Sequence, residues 1–535
     1  MIEILLLIRV SRVRQVVVVV LDENHSKKKL VTCTVSAEKK TKPTVDNYRM
    51  SKRKRDQQGG HESTDLPSAK RRDAIDEGTI SVQIIAGSYE RSLHGITATI
   101  SLGQEGEPLS VQFADTFLFN AHASAIRCLA LSPPSAPSAT QPSNVLLASG
   151  GTDERVNVYS LSAVPTAQNE KAPMPTLGGN KISENPRNRE LGSLMHHASS
   201  ITSLYFPTRS KLLSAAGDNT ISVSRAKDLT VVSSFRAPRP KAQGRPSGDT
   251  APPGDAPIGI NGFAIHPSMK LMITVGKGER CMRLWNLVTG KKAGVLNFGR
   301  AVLQSVQEGK YSTGEGRKVA WNPTSEEFTI AFERGAIIFG EDAKPTHRIS
   351  PTPRTKIHQM RYLTIPVTDE KEMTVLALST EDGRILFYSA DERGREVEEK
   401  TKTAADGVIQ DKICIAELDG TYDNVKGRIK DFEILALPQG LSNGNNLSLL
   451  AITAGSDGRI RTWMIDAGLL ATSNKAGTEE KMLTQAVGKL AGTYETGSRI
   501  TCMQAFVMLP RDDHGDVSEF EGLTEDAASG TDSSD

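Results

Sequence analysis

The sequence predicts an all-β fold: a seven-bladed β-propeller whose last blade is closed by strands from both chain ends. Three observations carry this. First, an acidic residue is followed six positions later by an aromatic one at Asp153 and Tyr159, Glu279 and Trp285, Glu333 and Phe339, Asp382 and Tyr388, and Asp457 and Trp463. A further acid, Asp218, has Ser224 in the aromatic place. Aromatics are only 5% of the chain, so this recurrence marks a repeat. Second, each acid follows a short apolar run, as in VLLASGGTD, KLLSAAGD and LLAITAGSD, and precedes alternating residues. Strand, tight turn, strand is the economical reading, because Gly and Asp punctuate a period-two pattern. Third, another short strand stands upstream of each, from SAIRCLALS to GRIKDFEIL. With one more strand after the aromatic place, each unit is a four-stranded antiparallel sheet. A lone sheet cannot cover both its faces, so the units must stack, and radial stacking gives a propeller.

Six units carry the turn acid. A seventh is assembled from both ends: Ser81 to Ile100 supplies two strands with Glu90 at the turn, and Arg499 to Val507 supplies the innermost strand. Such a mixed blade closes the ring and removes exposed sheet edges. Spacing between turn acids exceeds the roughly 40–45 residues of an ordinary blade. The surplus lies in polar inserts at 133–143, 166–188, 238–257 and 391–407, read as surface loops. The predicted organisation is a disordered basic arm over 1–80, the propeller over 81–508 and an acidic disordered tail over 509–535.

The bulk numbers agree. A chain of 535 residues is too long for one ordinary core unless it is built of repeats. Net charge is +2, so no whole-chain field points to nucleic acid or a membrane surface. Five scattered cysteines form no C-x-x-C pair and indicate neither a zinc site nor a disulfide framework, which fits a reducing compartment. The apolar start, MIEILLLIRVSRVRQVVVVV, is broken by Glu3, Arg9, Arg12 and Arg14. Its uncharged stretches fall far below the roughly 18 residues a membrane span needs. Residues 1–49 read as foreign to the rest, with Met50 as the natural start.

The turn acids read as scaffold rather than catalysts, since functional acids need not recur at a fixed register. Burying them requires hydrogen bonds, which backbone N–H groups of the turn are expected to supply. The pattern resembles the WD-repeat family, in which turn acid, upstream histidine and strand Ser/Thr bond toward the aromatic place. That resemblance implies two sets, His122–Ser149–Asp153–Tyr159 and His197–Ser214–Asp218–Ser224.

Within WD repeats, Ile260 to Arg300 followed by KVAWNP is the most specific stretch. AGSYERSL, FNAHASAIRCLALS and GTDERVNVY extend the likeness over most of 84–465. It is similar to the ribosome-assembly WD-repeat proteins of the maintenance-of-killer and p21-activated-kinase-interacting family. The resemblance implies a nucleolar, seven-bladed scaffold in maturation of the large ribosomal subunit, working through protein contacts with pre-60S factors. A second implication is an adaptor that binds and restrains a p21-activated kinase. Three departures bear on blades 3 and 4: an extra residue beside Gly278-Glu279, the insert at 238–257, and Ser224.

Two basic clusters, Lys52-Arg53-Lys54-Arg55 and Lys70-Arg71-Arg72, read as a bipartite nuclear-import signal or as a solvated basic arm. Ser529, Ser533 and Ser534 sit beside acids in the tail, as kinase substrates or as a solubilising segment. Lys277, Arg280, Lys291, Lys292, Arg300, Arg317 and Lys318 concentrate positive charge around blades 4 and 5. They stand as a candidate partner surface for an acidic tail or RNA phosphate, or as a solvated rim. Without aromatic interleaving, RNA contact is the weaker reading. GKGERC lacks the Lys-Ser/Thr ending of a P-loop, and no G-x-S-x-G or H-E-x-x-H occurs, so no catalytic, cofactor, metal or small-molecule site is predicted.

Overall fold

A computed structural model describes residues 79–101, 110–136, 143–165, 185–239, 258–309, 312–368, 371–390, 409–419, 427–437, 448–473 and 485–510. The sheets number seven. Blade 2 consists of Ile126–Leu131, Asn144–Gly151, Val156–Ser162 and Arg189–Leu194, from the axis outward. Blade 3 runs from Ile201–Thr208 to Thr230–Arg236 and blade 4 from Ile260–Ile265 to Lys291–Asn297. Blades 5, 6 and 7 begin at Lys318–Trp321, Ile357–Thr368 and Ile429–Ala436. Blades 5 and 6 each gain a short parallel fifth strand, Gln410–Asp411 and Gln485–Ala486.

Blade 1 is the closing blade. Ile500–Val507 is its innermost strand and pairs antiparallel with Thr79–Ser88, from Val82 opposite Val507 to Ser88 opposite Ile500. The N-terminal part supplies three strands rather than two, because Ser110–Asn120 adds to Ser92–Ser101 as the outermost. The aromatics of SVQFADTFLFN fit an outer strand, but no turn acid flags it.

Neighbouring blades bury apolar side chains between them, one cluster at each of the seven interfaces, including blade 7 against 1 and blade 1 against 2. Consecutive residues therefore point to different neighbours. Ile84 packs toward blade 7 and Ile85 toward blade 2, and both are 0% exposed. This explains why the second strands read as unbroken apolar runs instead of alternating.

A register shift between the third and outermost strands falls immediately before the residue six positions after the turn acid, with the extra residue bulged from the outermost strand. It precedes Ile96, Tyr159, Ser224, Trp285, Phe339, Tyr388 and Trp463, in all seven blades. The sequence pattern is thus matched by a backbone irregularity, a bulge of the outermost strand opposite the aromatic place. Blades 3 and 4 are regular four-stranded sheets despite their departures. The extra residue in blade 4 is absorbed by Gly278 in the left-handed conformation, at φ 68°. Of the predicted inserts, residues 137–142, 166–184, 240–257 and 391–408 lie outside the described residues, as do the arm before 79 and the tail after 510.

Candidate functional site

The turns between second and third strands and the connections between blades lie side by side on one face. Backbone bonds tie them together in every blade, for example Thr152 N–H to Ala125 O, Lys277 N–H to Gly259 O, Glu381 N–H to Lys356 O and Ser456 N–H to Arg428 O. The turn acids sit in this seam, and their partners divide the ring.

In blades 1 to 3 the acid reaches across to the connection. Asp153 accepts the Ala123 N–H at 3.0 Å and bonds His122 Nδ1 at 2.9 Å, while His122 Nε2 meets Ser149 Oγ at 2.8 Å. Asp218 accepts the Ala198 N–H at 3.0 Å, and His197 spans it (3.3 Å) and Ser214 (2.8 Å). Glu90 accepts the Arg499 N–H at 3.0 Å. Burial alone would raise the Asp218 carboxyl, but bonds from His197, Thr220 and Ala198 hold it well below the ordinary carboxylate range. Gly151 makes room for the set, because a Cβ there would collide with Asp153 and with His122.

Blades 4, 6 and 7 use guanidinium instead. Arg283 grips both Glu279 oxygens, with Nη2 to Oε1 at 2.6 Å, and both side chains are buried. Arg461 Nη2 bonds Asp457 Oδ2 at 2.6 Å, and Arg384 bonds Asp382 Oδ2 from Nε and Nη2 at 2.8 and 2.6 Å. Turn N–H groups do meet some of the acids, Thr220 N–H at Asp218 and Arg459 N–H at Asp457, but in blades 4, 6 and 7 an arginine two or four residues on in the same hairpin adds a charged partner that was not expected. The sequence carried the signal, because GER-CMR and DGRIR place a basic residue on the acid's side of the strand. In blade 5, Glu333 takes Lys356 at 3.1 Å and Arg317 at 3.4 Å.

The aromatic places are buried: Tyr159, Trp285, Phe339, Tyr388 and Trp463 are all at most 5% exposed. The indole N–H groups of Trp285 and Trp463 bond Thr274 and Thr453 at 3.0 and 3.1 Å. Those threonines do for tryptophan what Ser149 and Ser214 do for histidine. Ser224 is buried, and its hydroxyl has no hydrogen-bond partner among the described residues.

The seven predicted basic residues do not share one face. Lys277, Arg280, Arg300 and Arg317 belong to the turn-and-connection face. There Arg280 is committed to the Ser312 and Thr313 carbonyls, and Arg300 begins a short helix, Arg300–Ser305. Lys291 and Lys292 open the outermost strand of blade 4, at the opposite rim. Lys318 is inside the central channel, where burial lowers its ammonium pKa against the opposing pull of Asp431. The import-signal residues from Lys52 to Arg72 lie outside the described residues.

Sequence reading missed the channel network. Asp431 accepts the Met503 N–H at 3.0 Å and Gln359 Nε2 at 3.1 Å, so one carboxylate joins the inner strands of blades 6, 7 and 1 beside the closure. Arg361 pairs with Asp431 (3.4 Å) and with Glu433 (3.1 Å). Burial pushes the Glu433 carboxyl up to about 7, Arg361 opposing and Asp431 adding to the rise. Inner-strand charges scatter through the sequence at positions that only the closed ring brings together.

Repeated sheets, a turn acid tied to histidine or arginine, and a buried ring opposite a bulge define a WD-repeat propeller. The family model "WD domain, G-beta repeat" matches residues 188–223, the outermost strand of blade 2 with the first three of blade 3. Along most of its length the chain is similar to two named relatives, and over a shorter part to a third. It is 27% identical to Protein MAK11 of Saccharomyces cerevisiae over 83% of this chain and 90% of that one. It is 22% identical to a p21-activated protein kinase-interacting protein 1-like chain of Gallus gallus over 80% of each. To Shk1 kinase-binding protein 15 of Schizosaccharomyces pombe it is 33% identical over 24% of this chain and 33% of that one. The likeness that its sequence suggested, to proteins with the maintenance-of-killer and p21-activated-kinase-interacting names, thus extends over most of the chain.

Proposed function

We propose that this protein is a non-catalytic scaffold in nucleolar assembly of the large ribosomal subunit, acting through protein contacts with pre-60S factors. The observation that carries the reading is the match to Protein MAK11, which covers 83% of this chain rather than one repeat. Every turn acid is committed to a histidine, an arginine, a lysine or a backbone N–H, which leaves the acids to fix loops and the loops to meet partners. Import through Lys52–Arg55 and Lys70–Arg72 is part of the proposal. The test is affinity purification of the tagged full chain with quantified co-purifying proteins and sedimentation on gradients. Large-subunit factors and a peak at pre-60S size are expected.

A second reading has its own support in the kinase-binding names of two relatives. In it the chain is an adaptor that binds and restrains a p21-activated kinase. Recovery of kinase without large-subunit factors, from a cytosolic pool, would select it and overturn the first.

A further inference from the structure

One part of the connection face carries charge that the scaffold does not require. Where the connections into blades 6, 7 and 1 converge, Lys356, Arg428, Lys430 and Arg499 lie close enough to act on one another. Lys356 is held by Glu333 at 3.1 Å and Arg428 by Glu381 at 3.3 Å. Among the described residues, neither Lys430 nor Arg499 has a carboxylate at ion-pair distance. Burial, then repulsion from Arg428 and Arg499, lowers the Lys430 ammonium pKa. The Arg499 guanidinium sits 5.8 Å from the centroid of Tyr89, an exposed ring. Beside these cations, His358 Nε2 and Thr355 Oγ1 are buried and have no hydrogen-bond partner among the described residues. Burial and the neighbouring Lys430 hold the His358 imidazole down at about 4, so it is neutral at pH 7. Like charges gathered around unsatisfied polar groups cost stability unless an anion joins them.

We propose that this mouth, formed by Thr355, Lys356, His358, Arg428, Lys430 and Arg499, docks an acidic peptide segment of a partner protein. Carboxylates meet the cations, while the Thr355 hydroxyl and His358 Nε2, which are buried, lie beneath the contact. Glu333 and Glu381 interrupt the positive surface, which spaced carboxylates tolerate better than a continuous phosphate backbone. Tyr89 is a lone ring, where a single nucleic-acid strand uses a series of stacking platforms. The chain's own acidic tail starts on the far side: Ile500–Val507 runs from this face to the other, and the Leu509 N–H bonds Ala163 O there. The site holds whichever assembly the scaffold serves.

The test is fluorescence anisotropy of the full chain with a fluorescein-labelled Glu-Ser repeat peptide. Binding is expected to weaken steeply with salt. The double variant Lys430→Gln/Arg499→Gln should weaken it about tenfold, as loss of two charge-assisted contacts implies. Lys291→Gln/Lys292→Gln, on the opposite rim, should leave affinity within about twofold. Thermal unfolding verifies that both variants fold, and Arg428→Gln replaces the first pair if it does not. Equal loss in both double variants, or none in the first, would overturn the proposal. So would tighter binding of an oligouridylate of equal charge, or a tenfold gain on deleting residues 511–535, which would assign the mouth to the tail.

Discussion

Blades 2 and 3 differ from blades 4 and 7 in how they hold the same turn. In the first pair a histidine from the inter-blade connection lies between the turn acid and a strand serine, so the bond joins two successive chain segments. In the second pair an arginine of the third strand grips the acid within its own hairpin, and tryptophan finds a threonine separately. The mechanical task is unchanged, but the connection is released from it. Blades 6 and 7, where arginine took over, are also where the connections carry Lys356 and Arg428, with Lys430 at the start of the strand that follows. Freed from supplying a histidine, a connection can present charge outward.

The largest expected effect comes from breaking the arginine version. Arg283→Met leaves Glu279 buried and unpaired and should cost about 3–5 kcal/mol in denaturant unfolding. Adding Glu279→Gln should recover much of that, because the stranded charge is gone. A cost below that of the histidine variants would erase the distinction between the two kinds of blade. Next comes the ring: Trp463→Phe removes the N–H that Thr453 accepts and should lose about 2 kcal/mol, measured the same way.

The histidine version should break more gently and with a pH signature. Asp218→Asn should cost about 1–2 kcal/mol at pH 7. Because the folded carboxyl of Asp218 titrates below its unfolded value, its contribution is complete above about pH 4 and disappears as pH falls. The gap between wild type and variant should therefore narrow in urea melts near pH 3. Glu433 has the opposite sign. With the folded carboxyl raised to about 7, the folded state holds the proton more tightly, so stability declines as pH rises from the ordinary carboxylate range through about 7. Melting temperatures at pH 5 and pH 8 should diverge more for wild type than for Glu433→Gln. The smallest change is Ser224→Ala, which removes a buried hydroxyl without a partner and should be neutral or stabilising by about 0.5 kcal/mol. A clear loss there would mean that Ser224 takes part in a network like Ser149's.

Much of the architecture was legible because the acid-to-aromatic interval is a local consequence of one hairpin. Trp285 and Trp463 announce themselves by type, and Gly151 by its place before the acid. Ser110–Asn120 was missed because an outer strand has no turn acid of its own. The arginine partners were passed over because an expectation of histidine came with the resemblance. The basic concentration around blades 4 and 5 was counted along the chain, whereas successive strands carry neighbours such as Lys291 and Arg300 to opposite faces.

The sequence by itself determined the number of blades, the turn that each acid occupies and the meeting of the two chain ends. These follow from short-range rules: strand alternation, turn chemistry and the need to cover both faces of a sheet. Only the tertiary structure decided which charges share a space. Lys318, Arg361, Asp431 and Glu433 line one channel, and Lys356, Lys430 and Arg499 one mouth, although up to 143 positions separate the latter three. Electrostatic energy depends on distance through space, and closing the ring is what sets that distance.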